Sequence, residues 1–189
     1  MKEPIILIRY GELALKGKNK KDFENRLVTN IREKLKGYPG IKVYKEFGRI
    51  FVEPHGHPVS QITAALKEVF GIVGICLAYR VSQDLAVIRE AAIQVVQSEE
   101  KNVQTFKVES RRADKRFPVT SQELNHLLGG HILKTCPGLK VDVYNPDLVV
   151  HCEVRSSGVY LYGRDIPGLG GLPVGVSGRV GLLLSGGID

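Results

Sequence analysis

The chain has 189 residues, of which 43% are hydrophobic, enough for an ordinary globular core and far from the composition of disordered proteins. Lys and Arg outnumber Asp and Glu by 27 to 20, and the net charge of +7 favours a polyanionic partner, nucleic acid or an anionic membrane. The longest apolar run, residues 69–79, is too short for a membrane span of roughly 20 residues, so we expect no membrane partner.

The first 75 residues show strand and helix patterns in the order βαββαβ. A β-branched run at 5–10 predicts a buried strand, and apolar residues at four-residue spacing from Phe23 to Leu35 predict a helix. Gly48 divides a predicted hairpin, and a helix from Ser60 and a strand at 72–81 follow. This is the order of a ferredoxin-like domain, with two helices on one face of an antiparallel sheet. We expect the other face to stay open.

A second unit is predicted over residues 76–165. Asp84 is typical of a helix N-cap, and Thr120 with Glu123 matches a capping box that opens another helix. Strand patterns occupy residues 103–110, 141–144, 148–155 and 158–162. The chain is therefore predicted to be an α+β protein, with a ferredoxin-like unit followed by an α/β unit.

The C-terminal residues differ from both units. Residues 166–179 are rich in glycine and have few side chains with which to build a core, so they predict a linker or hinge. Residues 180–184 then indicate a new apolar strand, followed by Ser-Gly-Gly-Ile-Asp. Such a segment can direct several backbone N–H groups at a pyrophosphate, although an ordinary glycine turn is the alternative. Because this strand has no neighbouring partner, we expect the chain to be cut at a domain boundary.

The three cysteines, Cys76, Cys136 and Cys152, are odd in number and form no CxxC pair. They therefore predict neither a structural zinc site nor a disulfide framework, and they fit a reducing cytosol. We expect a cytoplasmic protein without a metal site.

Two basic clusters are candidates for phosphate binding. In the first, Lys16, Lys18 and Lys20 crowd a loop that leads into a helix N-terminus, where backbone N–H groups strengthen the positive field. The second cluster is predicted at a strand end and consists of Lys107, Arg111, Arg112, Lys115 and Arg116. We expect the two clusters to form one continuous surface for a folded RNA. Solvated basic loops are the alternative.

Phe106 and Phe117 flank the second cluster. They can stack on unpaired bases, but isolated Phe residues are more often part of the core.

Gly129 and Gly130 lie inside the helix that the capping box opens. Each costs about 1 kcal/mol relative to alanine, so we expect close approach of another backbone or of RNA to offset the cost. A helix broken in two is the alternative. His131 and Lys134 are expected near the same surface and complete the predicted RNA-binding set.

The segments GELALKGKNK, ELNHLLGGHIL and GLGGLPVGVSGRVGLLLSGGID resemble the tRNA 4-thiouridine synthetase (tRNA sulfurtransferase) family along the whole chain. That family combines a ferredoxin-like domain, a THUMP domain and a PP-loop ATP-pyrophosphatase domain. The resemblance implies a ferredoxin-like domain at 1–75, a THUMP domain at 76–165, a linker at 166–179 and the first PP-loop strand at 180–189. The implied ATP-binding residues are Leu183, Leu184, Ser185, Gly186, Gly187 and Asp189.

The resemblance also implies an activity for the complete enzyme. ATP and Mg²⁺ would serve to adenylate a uridine at the tRNA elbow, and a persulfide from a cysteine desulfurase would displace AMP to give 4-thiouridine. Family members also supply sulfur for thiamine thiazole, hold the tRNA acceptor end with the THUMP domain and are commonly homodimers. Because the family's persulfide cysteine lies beyond residue 189, we expect this fragment to be catalytically inactive and to bind no cofactor firmly.

Three other interpretations remain open. A THUMP-containing tRNA methyltransferase or deaminase is disfavoured by the SGGID segment. A ferredoxin-like regulatory module that binds a small molecule is disfavoured by the basic clusters. A structural dimerisation unit would show no affinity for tRNA.

Overall fold

The computed structural model describes residues 4–11, 18–46, 48–99, 103–176 and 178, with only the backbone for Lys18 and Asn19. The described strands are β1 Ile5–Tyr10, β2 Lys42–Glu46, β3 Arg49–Glu53, β4 Ile72–Val81, β5 Thr105–Arg112, β6 Lys140–Val141, β7 Leu148–Arg155, β8 Gly158–Tyr162 and β9 Ile166–Pro167. The described helices are α1 Lys18–Lys34, α2 Val59–Lys67, α3 Leu85–Ser98 and α4 Ser121–Thr135. None of these helices is long and apolar enough to cross a membrane.

The nine strands of the described residues belong to one mixed sheet, in the order β2-β3-β1-β4-β8-β7-β5-β6, with β9 beside β4. The first four are antiparallel and give the 2-3-1-4 order of a ferredoxin-like domain, which confirms the βαββαβ prediction. In the second half, β5 pairs in parallel with both β6 and β7. The protein is thus an α+β fold built on a mixed sheet.

The ten-residue strand β4 belongs to both halves of the sheet. One edge pairs with β1, from Ile5 opposite Ala78 to Tyr10 opposite Ile72. The other edge pairs with β8, where Val81 lies opposite Val159. The strand runs without interruption across residues 75 and 76, so the two units share one set of backbone hydrogen bonds.

All four helices pack on one face of this sheet. Helices α1 and α2 cover one apolar cluster that includes Ile75 of β4, and α3 and α4 cover a second cluster that includes Val81. Residues six apart on a strand point to the same face, so both clusters lie on one side of β4. Burial of each Ile or Leu side chain contributes about 1.5–3 kcal/mol.

The helix-free face is partly filled by its own side chains. The ring of Phe51 on β3 lies 5.0 Å from that of Tyr160 on β8, although β1 and β4 run between them. Adjacent strands are about 4.8 Å apart, so the sheet must curve toward this face. The other members of this buried cluster are Ile5, Leu7, Cys76, Ala78 and Tyr162. The expectation that this face stays open is therefore wrong for its central part.

A buried carboxylate joins the two halves across this concave face. Glu153 on β7 is 5% exposed and accepts hydrogen bonds from Arg49 of β3 (3.1 Å), Tyr162 (2.8 Å) and Arg155. Burial would raise the pKa of Glu153, but hydrogen bonds from Arg155 and Tyr162 and the charge of Arg49 bring it below its ordinary value. Charged donors of this kind stabilise a carboxylate away from water.

The glycine-rich segment is attached to the sheet over its described part. The N–H groups of Gly168 and Gly170 donate to the carbonyls of Val73 (3.1 Å) and Ile72 (2.7 Å). At Gly168 a Cβ atom would collide with the Ile72 carbonyl, so this pairing requires glycine. Residues 166–176 are therefore packed along the N-terminal unit rather than free, whereas the strand and PP-loop predicted after residue 179 lie outside the described residues.

Local predictions were accurate where the pattern was unambiguous. The strands β4, β7 and β8 have the predicted bounds, and Asp84 caps α3 by accepting the N–H groups of Ala86 and Val87. The strand predicted at 141–144 is wrong beyond Val141. There the Asp142 carboxylate accepts the N–H groups of Tyr144 and Asn145 and forms a turn instead.

Replacing Glu153 with Ala should lower the free energy of unfolding by about 3 kcal/mol, because Arg49 and Arg155 would lose a buried counter-charge. Urea denaturation measures the change. The control is Glu68→Ala, since Glu68 is 69% exposed and pairs with Lys34 at the surface, where a change within about 0.5 kcal/mol is expected. Equal losses in both variants would contradict the prediction.

The stabilising effect of Glu153 should also depend on pH. Its pKa is lowered in the folded protein, so its contribution is complete above the unfolded value of about 4.3 and is lost as the pH falls through the folded value. The difference in unfolding free energy between wild type and Glu153→Gln, measured by urea denaturation, should therefore shrink when the pH is lowered from neutral into this acidic range. A difference in unfolding free energy that does not change with pH would contradict a stabilising role for the Glu153 charge.

Candidate nucleic-acid interface

Lys107, Arg111 and Arg112 of the second predicted cluster lie on β5, where successive side chains point to opposite faces of the sheet, and Lys115 and Arg116 lie in the loop after it. Arg111 is exposed on the helix-free face. Arg112 points to the helix side, and its Nη1 donates to the carbonyls of Phe117 (2.9 Å) and Val119 (3.3 Å). Arg112 therefore holds the loop that leads into α4 rather than facing a ligand.

Arg111 borders a cleft of about 400 Å³ on the helix-free face. Arg9 and Arg49 also line it, but the first is paired with Asp165 and the second with Glu153. Among the described bases that line this cleft, Arg111 is the one without an acidic group within ion-pair distance. The positive charge that the cleft offers to a ligand therefore comes mainly from Arg111.

The histidine in this cleft, His151, adds little charge. Its Nδ1 lies 3.8 Å from Glu109, and its ring stacks on Tyr162 at a centroid distance of 4.9 Å. Burial lowers the pKa of His151 below its ordinary value. The imidazole is therefore mostly neutral at physiological pH.

The loop after β5 is anchored to the sheet. The N–H groups of Ala113 and Asp114 both donate to the Val154 carbonyl. Arg116 is 81% exposed, and it holds Asp114 through Nε and Nη2 at 3.0 and 2.9 Å. Hydrogen bonds from Arg116 lower the pKa of the Asp114 carboxyl. Lys115 is exposed beside this pair.

Helix α4 is continuous from Ser121 to Thr135. The Thr120 hydroxyl accepts the N–H of Glu123 (3.2 Å), and the Glu123 carboxylate accepts the N–H of Thr120 (2.9 Å), which confirms the capping box. The alternative of a helix broken at the glycines is therefore wrong.

Gly129 and Gly130 open onto a groove of about 470 Å³ between α4, β5 and β6. A Cβ atom on Gly130 would meet nothing within 4 Å, and one on Gly129 would meet only the Val108 side chain at 4.0 Å. Close approach of another protein backbone, one of the two expected explanations, is thus excluded within the described residues. Exposed Leu133, Val141 and Val143 form apolar walls of the groove.

The structure separates His131 and Lys134 from this groove. His131 Nε2 lies 3.5 Å from Glu90 of α3, so the imidazole faces the neighbouring helix. Lys134 is exposed and does not line the groove. Lys107 borders the groove, but its side chain lies on the helix-free face like that of Arg111; there its Nζ lies 2.7 Å from Glu109 and holds the pKa of that carboxyl below its ordinary value.

The directions of β1 and β5 bear on the expectation that the two basic clusters form one surface, which stays a prediction because most of the first cluster lies outside the described residues. Strand β1 is antiparallel to β4, β4 to β8 and β8 to β7, whereas β5 is parallel to β7. Strands β1 and β5 therefore run in opposite directions, and their C-terminal residues, Tyr10 and Arg112, lie toward opposite ends of the strands in the sheet. Lys20 is exposed in the first turn of α1. Lys16 and the side chain of Lys18 lie outside the described residues.

The aromatic side chains available to a ligand are not the predicted ones. Phe106 and Phe117 are buried in the core, which confirms the core interpretation and excludes base stacking. Tyr144 is 87% exposed at the turn beside Val143. Sequence reasoning missed Tyr144 because it was assigned to a strand, and it missed the exposed Lys140 because an isolated lysine carries no signal.

The described cysteines do not have the properties of reactive thiols. Burial raises the pKa of Cys152 to about 12, and it also raises the pKa values of Cys76 and Cys136. A protonated thiol is a poor nucleophile and a poor metal ligand. No cluster of three or more His, Cys, Asp or Glu residues suited to a metal ion occurs in the part of the chain that the structure describes.

Comparison with known proteins places both units in families. Residues 5–76 match the ThiI ferredoxin-like domain, and residues 82–163 match the THUMP domain. A probable tRNA sulfurtransferase of Brevibacillus brevis is 47% identical over 189 residues, which cover 100% of this chain and 47% of the relative.

Solved structures are also similar to this chain over most of its length. A 4-thiouridine synthetase crystallised with RNA and ATP superposes with a TM-score of 0.86 and 38% identity, over 100% of this chain and 48% of that one. A Pyrococcus horikoshii protein superposes with a TM-score of 0.79 and 32% identity, over 92% of this chain and 58% of that one. The chain spans about half the length of the curated relatives it matches.

The different surroundings of Arg111 and Arg112 predict different effects of mutation. Replacing Arg112 with Ala removes two hydrogen bonds from a charged donor and should lower the free energy of unfolding by about 2 kcal/mol. Arg111→Ala, the matched control one residue away, should change it by no more than about 0.5 kcal/mol. Urea denaturation compares them, and a larger loss for Arg111→Ala would refute this assignment.

Proposed function

This chain belongs to the tRNA sulfurtransferase family, whose ferredoxin-like and THUMP domains it carries, and we propose that it is the tRNA-binding half of an enzyme that makes 4-thiouridine. The observation that carries the proposal is the likeness, along the whole chain, to a 4-thiouridine synthetase crystallised with RNA. The exposed bases of β5 and of the loop after it supply the electrostatic term that such binding needs.

The proposed RNA contacts are the bases that the fold leaves accessible. Arg111, Lys115 and Arg116 would meet phosphates at the C-terminal end of β5, Lys107 would do so on the helix-free face beside Glu109, and Lys134 would do so on α4. Arg112 would act indirectly, through the loop that it holds. Phosphate contacts of this kind fix the position of an RNA without reading its sequence.

The N-terminal bases would reach RNA in a different way. Lys16, Lys18 and Lys20 follow β1 in the sequence, and β1 runs in the opposite direction to β5. We propose that a tRNA large enough to contact both clusters, or a homodimer in which one tRNA contacts two protomers, brings the clusters together. Local RNA fragments would then bind more weakly than whole tRNA.

The complete protein would supply the chemistry. ATP and Mg²⁺ would activate uridine O4 as an adenylate, because this oxygen is a poor leaving group until AMP is attached. The terminal sulfur of a persulfide, supplied by a cysteine desulfurase, would then attack C4 and displace AMP, and a thiol would reduce the remaining S–S bond to release 4-thiouridine. Persulfide sulfur from the same donor could also serve thiamine synthesis. Residues 183–189 would begin the nucleotide site, and the THUMP domain would hold the acceptor end so that the elbow uridine reaches that site.

Binding of tRNA to this chain should weaken steeply with salt. With about four phosphate contacts, raising the salt from about 50 to 200 mM should lower the affinity roughly 100-fold, because bound counterions are released on association. Filter retention of labelled tRNA at the two salt concentrations measures this. Affinity that is absent, or that does not depend on salt, would contradict the proposed function.

The same assay should detect the loss of a single lysine–phosphate contact. Lys115→Ala should lower the salt slope by about 1, whereas Lys67→Ala on α2, a matched exposed lysine, should leave it unchanged.

A further inference from the structure

Residues 166–176, here called the strap, carry exposed apolar side chains that neither the fold nor RNA binding explains. We propose that these side chains form a docking patch for the nucleotide-binding half of the full-length protein, and that docking holds this half at a fixed position relative to the RNA-binding surface. The inference rests on the proposed function, because it takes the other half to be the part that binds ATP. It adds the surface on which that half is held.

Exposed apolar side chains are concentrated at two places in the described residues. Of the eleven large apolar residues that are exposed there, four lie at or beside the groove of α4 and one lies alone on α3. The other six belong to the strap or adjoin it, and they are Phe70, Val73, Leu169, Leu172, Val174 and Val176. Single exposed apolar residues are ordinary, but a cluster of them marks a surface that a partner covers. These six residues are called the strap patch below.

Contacts between the strap and the start of β4 bring the two segments of the patch together. The Gly71 N–H donates to the Gly170 carbonyl at 2.6 Å. A Cβ atom on Gly171 would lie 3.9 Å from the Phe70 ring, and one on Gly71 would collide with the Pro173 ring at 2.9 Å. The exposed residues of the two segments therefore share one surface.

The strap is attached at both of its ends, so its outward side chains have fixed positions. At its start, Gly168 pairs with β4 at a site where any side chain would collide with the backbone. At its end, the Val174 carbonyl accepts a hydrogen bond from Asn30 Nδ2 of α1 at 3.1 Å. Between these points Pro173 is buried. The strap patch is therefore a defined surface and not the side of a loose segment.

The connectivity of the chain identifies the occupant. The curated relatives are about twice as long as this chain, and the part of them that follows the strap starts beside the patch. A partner tethered this closely has an effective concentration on the order of millimolar, so even a small apolar contact would be occupied. A second copy of the chain lacks this advantage.

The composition of the strap excludes RNA as the main occupant. Residues 166–176 contain no Lys, Arg, Asp or Glu. Binding to RNA depends on positive charge, whereas the core of a protein–protein interface is depleted in charged residues. Because the strap pairs with β4, and β4 also pairs with the second unit through β8, a half docked here would keep a fixed distance from bound RNA.

Thiol labelling tests the docking without relying on activity. Leu172→Cys places a thiol at a site that is 44% exposed, and burial raises the pKa values of the described native cysteines. Labelling by N-ethylmaleimide, located by peptide mass spectrometry, should be rapid in the 189-residue chain and much slower in the full-length protein. Val87→Cys, at a site on α3 that is 39% exposed, is the matched control and should label equally fast in both. Equal labelling of the Leu172→Cys variant in both proteins would overturn the proposal.

A charge in the strap patch should separate positioning from RNA binding. In the full-length protein, Leu172→Asp should lower the turnover number for 4-thiouridine formation about tenfold or more, because the two halves would lose their fixed arrangement. The Kd for tRNA should not change, because Leu172 contributes no charge. The Tm of the 189-residue chain should also stay the same, because this side chain is exposed. Val87→Asp should alter none of these quantities.

The outcomes distinguish the docking patch from the function on which it rests. If the full-length wild type makes no 4-thiouridine but protects the Leu172→Cys thiol, the proposed function fails and the docking stands. If Leu172→Asp keeps full turnover, or weakens tRNA binding as strongly as turnover, the positioning role is refuted and the proposed function stands. Sedimentation equilibrium of the 189-residue chain tests the other occupant. A dimer that Leu172→Asp converts to monomers would assign the patch to a second copy and overturn the inference.

Discussion

Backbone pairing along β4 is the constraint on which the rest of the molecule depends. One edge of this strand pairs with β1 of the ferredoxin-like unit, and the other pairs with β8 and β9 of the C-terminal half. Neither unit can rotate against the other without breaking these hydrogen bonds. Glu153 adds a second connection, because Arg49 reaches it from β3 across the concave face. Bases on β5 and α4 are therefore held at fixed positions relative to the N-terminal unit.

Ion pairing on the concave face decides which charges remain available to a partner. On the concave face, Arg9 and Arg49 are paired with Asp165 and Glu153, so their charges stabilise the fold. Arg111, on the same face, has no such partner among the described residues. A net charge of +7 indicates a polyanionic partner, but only the pairing of each base shows which residues can meet it.

The sequence predicted the local structure well, because capping and periodicity are local properties. The capping residues Thr120 and Glu123, three residues apart, predict the start of α4. The alternating apolar residues of β7 and β8 predict where these two strands begin and end. The sequence-based prediction failed where the structure depends on which strands pair with each other. The strand pattern ends at Ser110 and therefore predicts Arg111 and Arg112 in a loop. In the structure both residues pair with β7, so their side chains point to opposite faces of the sheet. The parallel pairing of β5 with β6 and β7, which sets the direction of β5 relative to β1, has no local signature.

Amide hydrogen exchange of this chain with and without tRNA tests the central claim most directly. The account predicts that tRNA slows exchange in the loop after β5 and in the glycine-containing part of α4, while α2 exchanges at the same rate in both states. Unchanged exchange in the β5–α4 region, with tRNA demonstrably bound, would contradict it.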